Sequence, residues 1–293
     1  MKKTVLFVMT QKGYDALKHF IELFGSSHVS FVVGAKDESV QQDFYREIKE
    51  LCEKNNIIFF DRKDKYTVNT DYMIAISWRW LIEQENSRLI VMHDSLLPRY
   101  RGFAPLVNCL VNGETAVGVT ALFASEEYDK GDIIAQRSVK INYPLRINDA
   151  INEVSVCYKG LIEDIGKQIL SGQHINAVKQ DETLASYSLW LDEDDYTINW
   201  NMNAEAIKRF IDAVGFPYSG AATFIDQKKM RVNDAEVLPD LLIENRKPGK
   251  IIFIQNGKPV VVCGMGLLKI ISLTDDNTTQ EMLPLKRFRI RFT

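Results

Sequence analysis

Cysteine is scarce and scattered: Cys52, Cys109, Cys157 and Cys263 stand alone, with no CxxC pair among them. That spacing speaks against a metal knuckle or a disulfide framework and fits a reducing compartment. Long apolar runs are missing too, and no segment approaches bilayer length. The apolar start of the chain stops at Gln11-Lys12, too short for a secretory signal and better read as a first core strand. The expectation is a cytoplasmic protein with no membrane attachment. Positive charge is not in surplus either. The net charge is −3, so no global field recruits nucleic acid. A local basic run from Lys286 through Arg287 and Arg289 to Arg291 reads as a solvated strand edge. GxGxxG, the Walker A run and GxSxG are all absent, which removes the dinucleotide, P-loop and serine-hydrolase fingerprints. With four histidines far apart, no metal site is expected.

What is present is an alternation of short apolar runs and helical patterns. Thr4 to Met9, Val29 to Val33, Ile57 to Phe60, Tyr72 to Ile76 and Leu89 to Met92 read as buried strands. Between them lie helical segments from Asp15 to Phe24, with Ala16, Leu17, Phe20 and Leu23 on one face, and from Ser39 to Asn55. This order predicts an α/β fold: an open, mostly parallel sheet with helices on both faces. Further helices are predicted from Pro105 to Val111, from an N-cap at Asn148 to Leu170, and from Ala204 to Val214. Beyond Ala221 the pattern changes to short strands, with a hairpin signal at Asn256-Gly257. The expected organisation is an α/β domain over residues 1–185, a connecting helical segment over 186–220 and a small β-rich domain over 221–293.

His19, His28 and His174 lie in a helical pattern or in polar turns and suit structural or solvated roles. His93 differs. It follows an apolar strand directly and opens the run His93-Asp94-Ser95-Leu96-Leu97-Pro98-Arg99-Tyr100-Arg101-Gly102. Ligands in open α/β sheets bind at the carboxyl ends of strands, where His93 falls. A second cluster, Asp129-Lys130-Gly131-Asp132, follows the apolar run Val117 to Ala124. One imidazole and one carboxylate at strand ends form a candidate acid/base pair.

These motifs resemble the 10-formyltetrahydrofolate-dependent N-formyltransferase family. The family pattern is Asn-x-His, Ser-Leu-Leu-Pro, a basic-Tyr-Arg-Gly turn, Gly-Glu, Gly-Val-Thr and Asp-x-Gly. The chain supplies His93, Ser95 to Pro98, Arg99 to Gly102, Gly113-Glu114, Gly118 to Thr120 and Asp129 to Gly131. Ser77-Trp78-Arg79-Trp80-Leu81-Ile82 and Asp37 to Tyr45 are similar to the sugar N-formyltransferase branch. Tyr196 to Phe224 resembles the start of the family's OB-like C-terminal domain.

The resemblance implies a Rossmann-like formyltransferase core and 10-formyltetrahydrofolate as co-substrate, with no metal. In the family an amine attacks the formyl carbon and tetrahydrofolate leaves. By this likeness His93 would manage the proton and steady the oxyanion while Asp129 orients His93. Trp78, Arg79, Leu81, Ala124 and Asp129 would border the folate, and Arg99, Arg101 and Gly102 would meet the acceptor. One position departs from the pattern: Val91 stands where the family has the asparagine that helps bind the formyl oxygen. The expected acceptor is a nucleotide-linked amino-deoxysugar, a dTDP-linked one on the way to O-antigen or another surface polysaccharide. Methionyl-tRNA and a catalytically impaired folate- or nucleotide-sugar-binding relic are the alternatives, nucleic acid being disfavoured by charge. A homodimer is left open.

Overall fold

The computed structural model describes residues 2–83, 87–285 and 287–293. Two compact units are present. One comprises Met1–Leu106, Ala116–Ile141 and Ala150–Leu189, and the other comprises Val107–Thr115, Asn142–Asp149 and Trp190–Thr293.

The first unit is built on strands β1 (Thr4–Val8), β2 (Val29–Gly34), β3 (Phe59–Asp61), β4 (Tyr72–Ile76) and β5 (Arg88–His93), with β6 a two-residue piece at Arg101–Gly102. Strands β7 (Ala116–Phe123) and β8 (Ile133–Lys140) complete a seven-stranded sheet of order β3-β2-β1-β4-β5-β7-β8. The first five strands pair in parallel, and β7 and β8 join antiparallel. β1 and β4 are buried along nearly their whole length, as continuous apolar strands of a covered parallel sheet should be.

The helices are α1 (Thr10–Phe24), α2 (Tyr45–Lys54), α3 (Pro105–Val111), α4 (Ile147–Ser171) and α5 (Ala204–Val214). On the sheet face that carries Val5, Phe7, Val33, Ala75 and Leu89, loop side chains complete the packing: Tyr66, Val68, Trp78 and Ile82.

Several sequence expectations shift by local chemistry. α1 begins at Thr10, five residues before Asp15, and Leu23 is exposed rather than packed. α2 starts only at Tyr45 because Asp37 and Asp43 spend their carboxylates on nearby backbone N–H groups, at Ser39 and Tyr45, which competes with helix. Asn148 lies inside α4, not at its cap. Asn203 does cap α5, accepting from Ala206 N at 2.7 Å. β8 escaped the apolar-run reading because its side chains are half-buried or exposed along its length.

The second unit holds a five-stranded antiparallel sheet, order β10-β11-β14-β13-β12. Its strands are β10 (Ala221–Ile225), β11 (Lys228–Leu238), β12 (Ile251–Gln255), β13 (Lys258–Val262) and β14 (Leu267–Asp275), with β9 (Tyr187–Ser188) preceding them in the first unit. β11 alternates charge with apolar residues and was not read as a strand from the sequence. Asn256 and Gly257 both take positive φ, as a two-residue hairpin requires. Asp275 is buried beside Lys228, and that ammonium with the Thr278 backbone and hydroxyl holds its carboxyl down at about 2. Of the basic run near the C-terminus, Lys286 lies outside the described residues, and Arg287 pairs with Asp226.

Candidate active site

His93 is the last residue of β5, at the carboxyl edge of the parallel strands. Only 8% of it is exposed. Its Nε2 lies 2.8 Å from the Tyr100 carbonyl, and its Nδ1 lies 3.5 Å from Asp129 Oδ1. Both ring nitrogens therefore face acceptors. A neutral imidazole can satisfy one of them, and the imidazolium can satisfy both. The contact to Asp129 is at ion-pair rather than hydrogen-bond length. The other carboxylate oxygen of Asp129 accepts from Gly102 N at 2.8 Å.

The two residues that face the imidazole both occupy left-handed backbone, Tyr100 at φ 59 and Asp129 at φ 57. Such conformations are costly for a bulky residue and persist where neighbours over-determine them. Here the neighbours are visible. Ser186 Oγ accepts from Tyr100 N at 3.0 Å, and Gln180 Nε2 donates to the carbonyls of Asp129 and Gly131 at 2.7 and 2.8 Å. Gly131 is required by space, since a Cβ there would stand 1.7 Å from the Phe123 carbonyl oxygen. Gly102 is required by its φ of 100° and by the Ser188 carbonyl, 2.5 Å from any Cβ.

The turn itself is pinned from β7 and β8. The Thr120 hydroxyl donates to Ser95 O at 2.6 Å and accepts from Leu97 N at 3.0 Å and Gln136 Nε2 at 2.8 Å, which uses its one donor and two lone pairs. Gln136 also donates to Leu97 O at 2.8 Å. The Gly-Val-Thr motif is thus a brace for the Ser-Leu-Leu-Pro motif.

Arg101 departs from expectation. It is fully buried, and its guanidinium donates to Glu182 at 2.7 and 2.8 Å, to Gln180 at 2.8 and 3.1 Å and to the Tyr187 hydroxyl at 3.3 Å. Its fork is spent inside the fold, so the acceptor-contact role read from the sequence is corrected to a structural one. Arg99 remains exposed, its guanidinium 5.1 Å from the Tyr100 ring.

Of the expected folate neighbours, Leu81 is 83% exposed, while Trp78 is half-buried and meets Trp80 edge-on at 5.4 Å. The indole N–H of Trp78 is buried and has no hydrogen-bond partner among the described residues. The backbone N–H of Ala124 is committed to Leu89 O at 2.9 Å. Arg79 pairs with Asp37 at 2.7 and 2.9 Å. Val91 shares the His93 face of β5 and, like Trp78, Ile82 and Ala124, packs against the apolar cluster of Phe7, Ala75 and Leu89; its own side chain offers no donor.

A cleft of about 590 Å³ opens where β2, β3 and β4 end, lined among others by Lys36, Asp37, Arg62, Lys63, Arg79 and Trp80. Arg62 lies 4.2 Å over the Trp80 ring. No carboxylate among the described residues forms a salt bridge with Lys36, Arg62 or Lys63. Sequence reading passed over these three, although cations directly after β2 and β3 sit where ligands bind. Among the described residues no group of three or more His, Cys, Asp or Glu could hold a metal ion. Among the described residues no helix is long and apolar enough to cross a membrane.

Comparison with known proteins supplies the family. Residues 28–155 match the formyl transferase model, and residues 191–283 match the formyl transferase C-terminal domain. A methionyl-tRNA formyltransferase of Geobacter metallireducens is 30% identical over 212 residues, 70% of this chain and 66% of that protein. The chain thus spans about two thirds of that relative's length. Among solved structures, a sugar 3N-formyl transferase crystallised with dTDP and 5-N-formyl-THF aligns with a TM-score of 0.67 at 17% identity. That alignment covers 92% of this chain and 97% of the other. An N-formyltransferase from Helicobacter canadensis, in complex with folinic acid and dTDP-3-aminofucose, gives 0.66 at 17% identity over 92% and 99%. At such identities the structural likeness is one of fold.

Proposed function

Because the chain belongs to the formyl transferase family, we propose that it moves a formyl group from 10-formyltetrahydrofolate to the amine of a nucleotide-linked amino-deoxysugar. Its chemistry rests on one observation: an imidazole and a carboxylate, His93 and Asp129, meet at the carboxyl edge of the sheet. The formyl carbon passes from the folate nitrogen to the acceptor nitrogen, which sheds a proton. His93 is the group at this edge able to take that proton and return it to the leaving nitrogen, with Asp129 stabilising the imidazolium meanwhile. Leu81, Trp78, Trp80 and the loop over residues 125–128 are the groups to hold the folate.

The acceptor reading draws on the cleft at the ends of β2 and β3. β2 lies three strand positions from β5, about 14 Å along the sheet edge. That is the span of an amino sugar joined to its diphosphate and the start of a nucleoside. Lys36, Arg62 and Lys63 would answer the diphosphate. A dTDP-linked sugar for surface polysaccharide is the specific acceptor in view.

Methionyl-tRNA is the second reading, favoured by the Geobacter relative. Against it stands the charge of the segment after β2, where Asp37, Glu38 and Asp43 outnumber Lys36, since RNA phosphates need many cations. Val91 bears on both readings. Loss of one oxyanion donor costs about 2.7–4 kcal/mol in comparable sites, so turnover is expected to be slow unless another donor serves.

The test is incubation with 10-formyltetrahydrofolate and a panel of dTDP- and UDP-linked amino sugars, with methionyl-tRNA alongside, followed by mass spectrometry. A sugar gaining one formyl group supports the proposal. Formylated tRNA, with activity falling steeply in salt, replaces it with the second reading. Folate binding without transfer to any acceptor would turn the chain into a binding protein.

A further inference from the structure

Behind His93, on the opposite side of the β5 terminus, lies a buried polar cluster that the transfer chemistry does not use. Asp94, the next residue in the chain, meets Lys12 through one carboxylate oxygen and the Tyr158 hydroxyl through the other. The Lys12 and Asp94 side chains are 11% and 13% exposed, and Tyr158 is 1% exposed. Tyr158 also reaches the Met92 carbonyl at 3.3 Å. Three elements therefore converge on the residue after the imidazole: the first turn of α1, the middle of α4 and the end of β5.

The cluster is expensive. Lys12 sits in the first turn of α1, which carries no acidic residue, at the end of the helix dipole that disfavours a cation. Burying the pair costs desolvation that apolar side chains would not incur. An arrangement that opposes both rules needs a role, and its place beside His93 supplies one.

We propose that Lys12, Asp94 and Tyr158 are a positioning set for His93: Asp94 ties the strand end to α1 and α4, and Lys12 cancels the carboxylate's charge, so that the imidazole answers to Asp129 alone. The inference rests on reading His93 as the proton-handling group. The groups that bear on this edge are Lys12 from α1, Tyr158 from α4, Asp94 at the end of β5 and Asp129 from the loop after β7. Burial alone would push the Asp94 carboxyl up. The Lys12 ammonium and the Tyr158 hydroxyl outweigh it, so Asp94 stays ionised with a pKa below the ordinary value. The Tyr158 phenol is driven well above its ordinary range by burial and by that carboxylate, and it stays a donor.

The test is an NMR titration of the four histidine side chains in the intact protein, with His93 assigned by loss of its signal in His93→Asn. It uses neither folate nor acceptor, so it stands apart from the transfer assay. Lys12→Met leaves Asp94 uncompensated and should raise the His93 midpoint by about one pH unit; Asp94→Asn leaves Lys12 uncompensated and should lower it by about as much. The double variant should return close to wild type. A merely structural cluster predicts lost stability with no such opposed shifts. A His93 midpoint that is unmoved in both folded single variants, or that moves the same way in both, overturns the proposal. Should neither single-charge variant fold, Tyr158→Phe decides. Stripped of one hydrogen bond, Asp94 bears harder on His93, and a small upward shift is expected. An unmoved midpoint there counts against the proposal.

Discussion

The turn that carries His93 and the cleft at the ends of β2 and β3 spend charge in opposite ways. Around the turn, three strong groups are committed within the fold: Arg101 to Glu182, Gln180 and Tyr187, Asp129 to Gly102, and Thr120 to three partners. In the cleft, Lys36, Arg62 and Lys63 line open space. On the proposed function the difference separates two tasks. Chemistry needs donors and acceptors fixed before substrate arrives, because reorganisation in the transition state is costly. Binding an anion needs cations still able to give up water for it. An arginine in a motif can therefore serve either task, and burial distinguishes them.

Substitutions can break that comparison. The largest effect is expected for His93→Asn, which should lower transfer about a hundred- to ten-thousandfold and leave folate affinity within about twofold by calorimetry. Activity near wild type would remove His93 from the mechanism. Val91→Asn should raise turnover up to about a hundredfold if the missing amide limits the rate. A flat response would mean that another group holds the formyl oxygen. Arg101→Met should act on the turn as a whole, leaving Gln180 and Glu182 without their donor and destabilising the protein by about 2–4 kcal/mol. A thermal melt would read this, and an unchanged midpoint would contradict the structural role of Arg101.

Smaller effects sharpen the contrast. Lys63→Ala should raise the KM for an anionic acceptor about three- to tenfold with kcat unchanged. A fall in kcat instead would tie the cleft to the chemistry. The acid limb of stability is the subtlest test. The folded pKa of Asp94 lies below its ordinary 3.8, so its contribution is complete above that value and is lost as pH falls through the folded pKa. Melting midpoints of the wild type between pH 6 and 3 should drop more than those of Asp94→Asn. Parallel curves would deny Asp94 that contribution.

Much of the scaffold was legible in the sequence because burial and periodicity are local signals. The strand Tyr72–Ile76 and the helices Pro105–Val111 and Ala204–Val214 fall where their patterns ended. β8 and β11 were not legible, since strands that carry charge on one face lack an apolar run. At the candidate site, His93 and Asp129 stand out in the sequence by their placement after strands, and the fold brings them within 3.5 Å of each other. Gln180 and Ser186 do not, because they lie about the expected boundary between residues 185 and 186, and only the fold brings them to Asp129 and Tyr100. Lys12 and Asp94 left one trace: a carboxylate inside a buried turn must have a partner.

The sequence by itself determined the alternation of strands and helices through β5, the pair of residues that face each other at the sheet edge, and the absence of an amide at position 91. Each is written in residue type and spacing, which chain chemistry reads directly. The tertiary structure decided which charges are free. Arg101 and Arg62 are the same side chain, each beside a strand end. One meets Glu182 across 81 residues of chain and is silenced, and the other stacks on Trp80 at the wall of a cleft. Partners so distant in sequence meet only once the sheet has formed, and that meeting separates structural charge from charge able to bind.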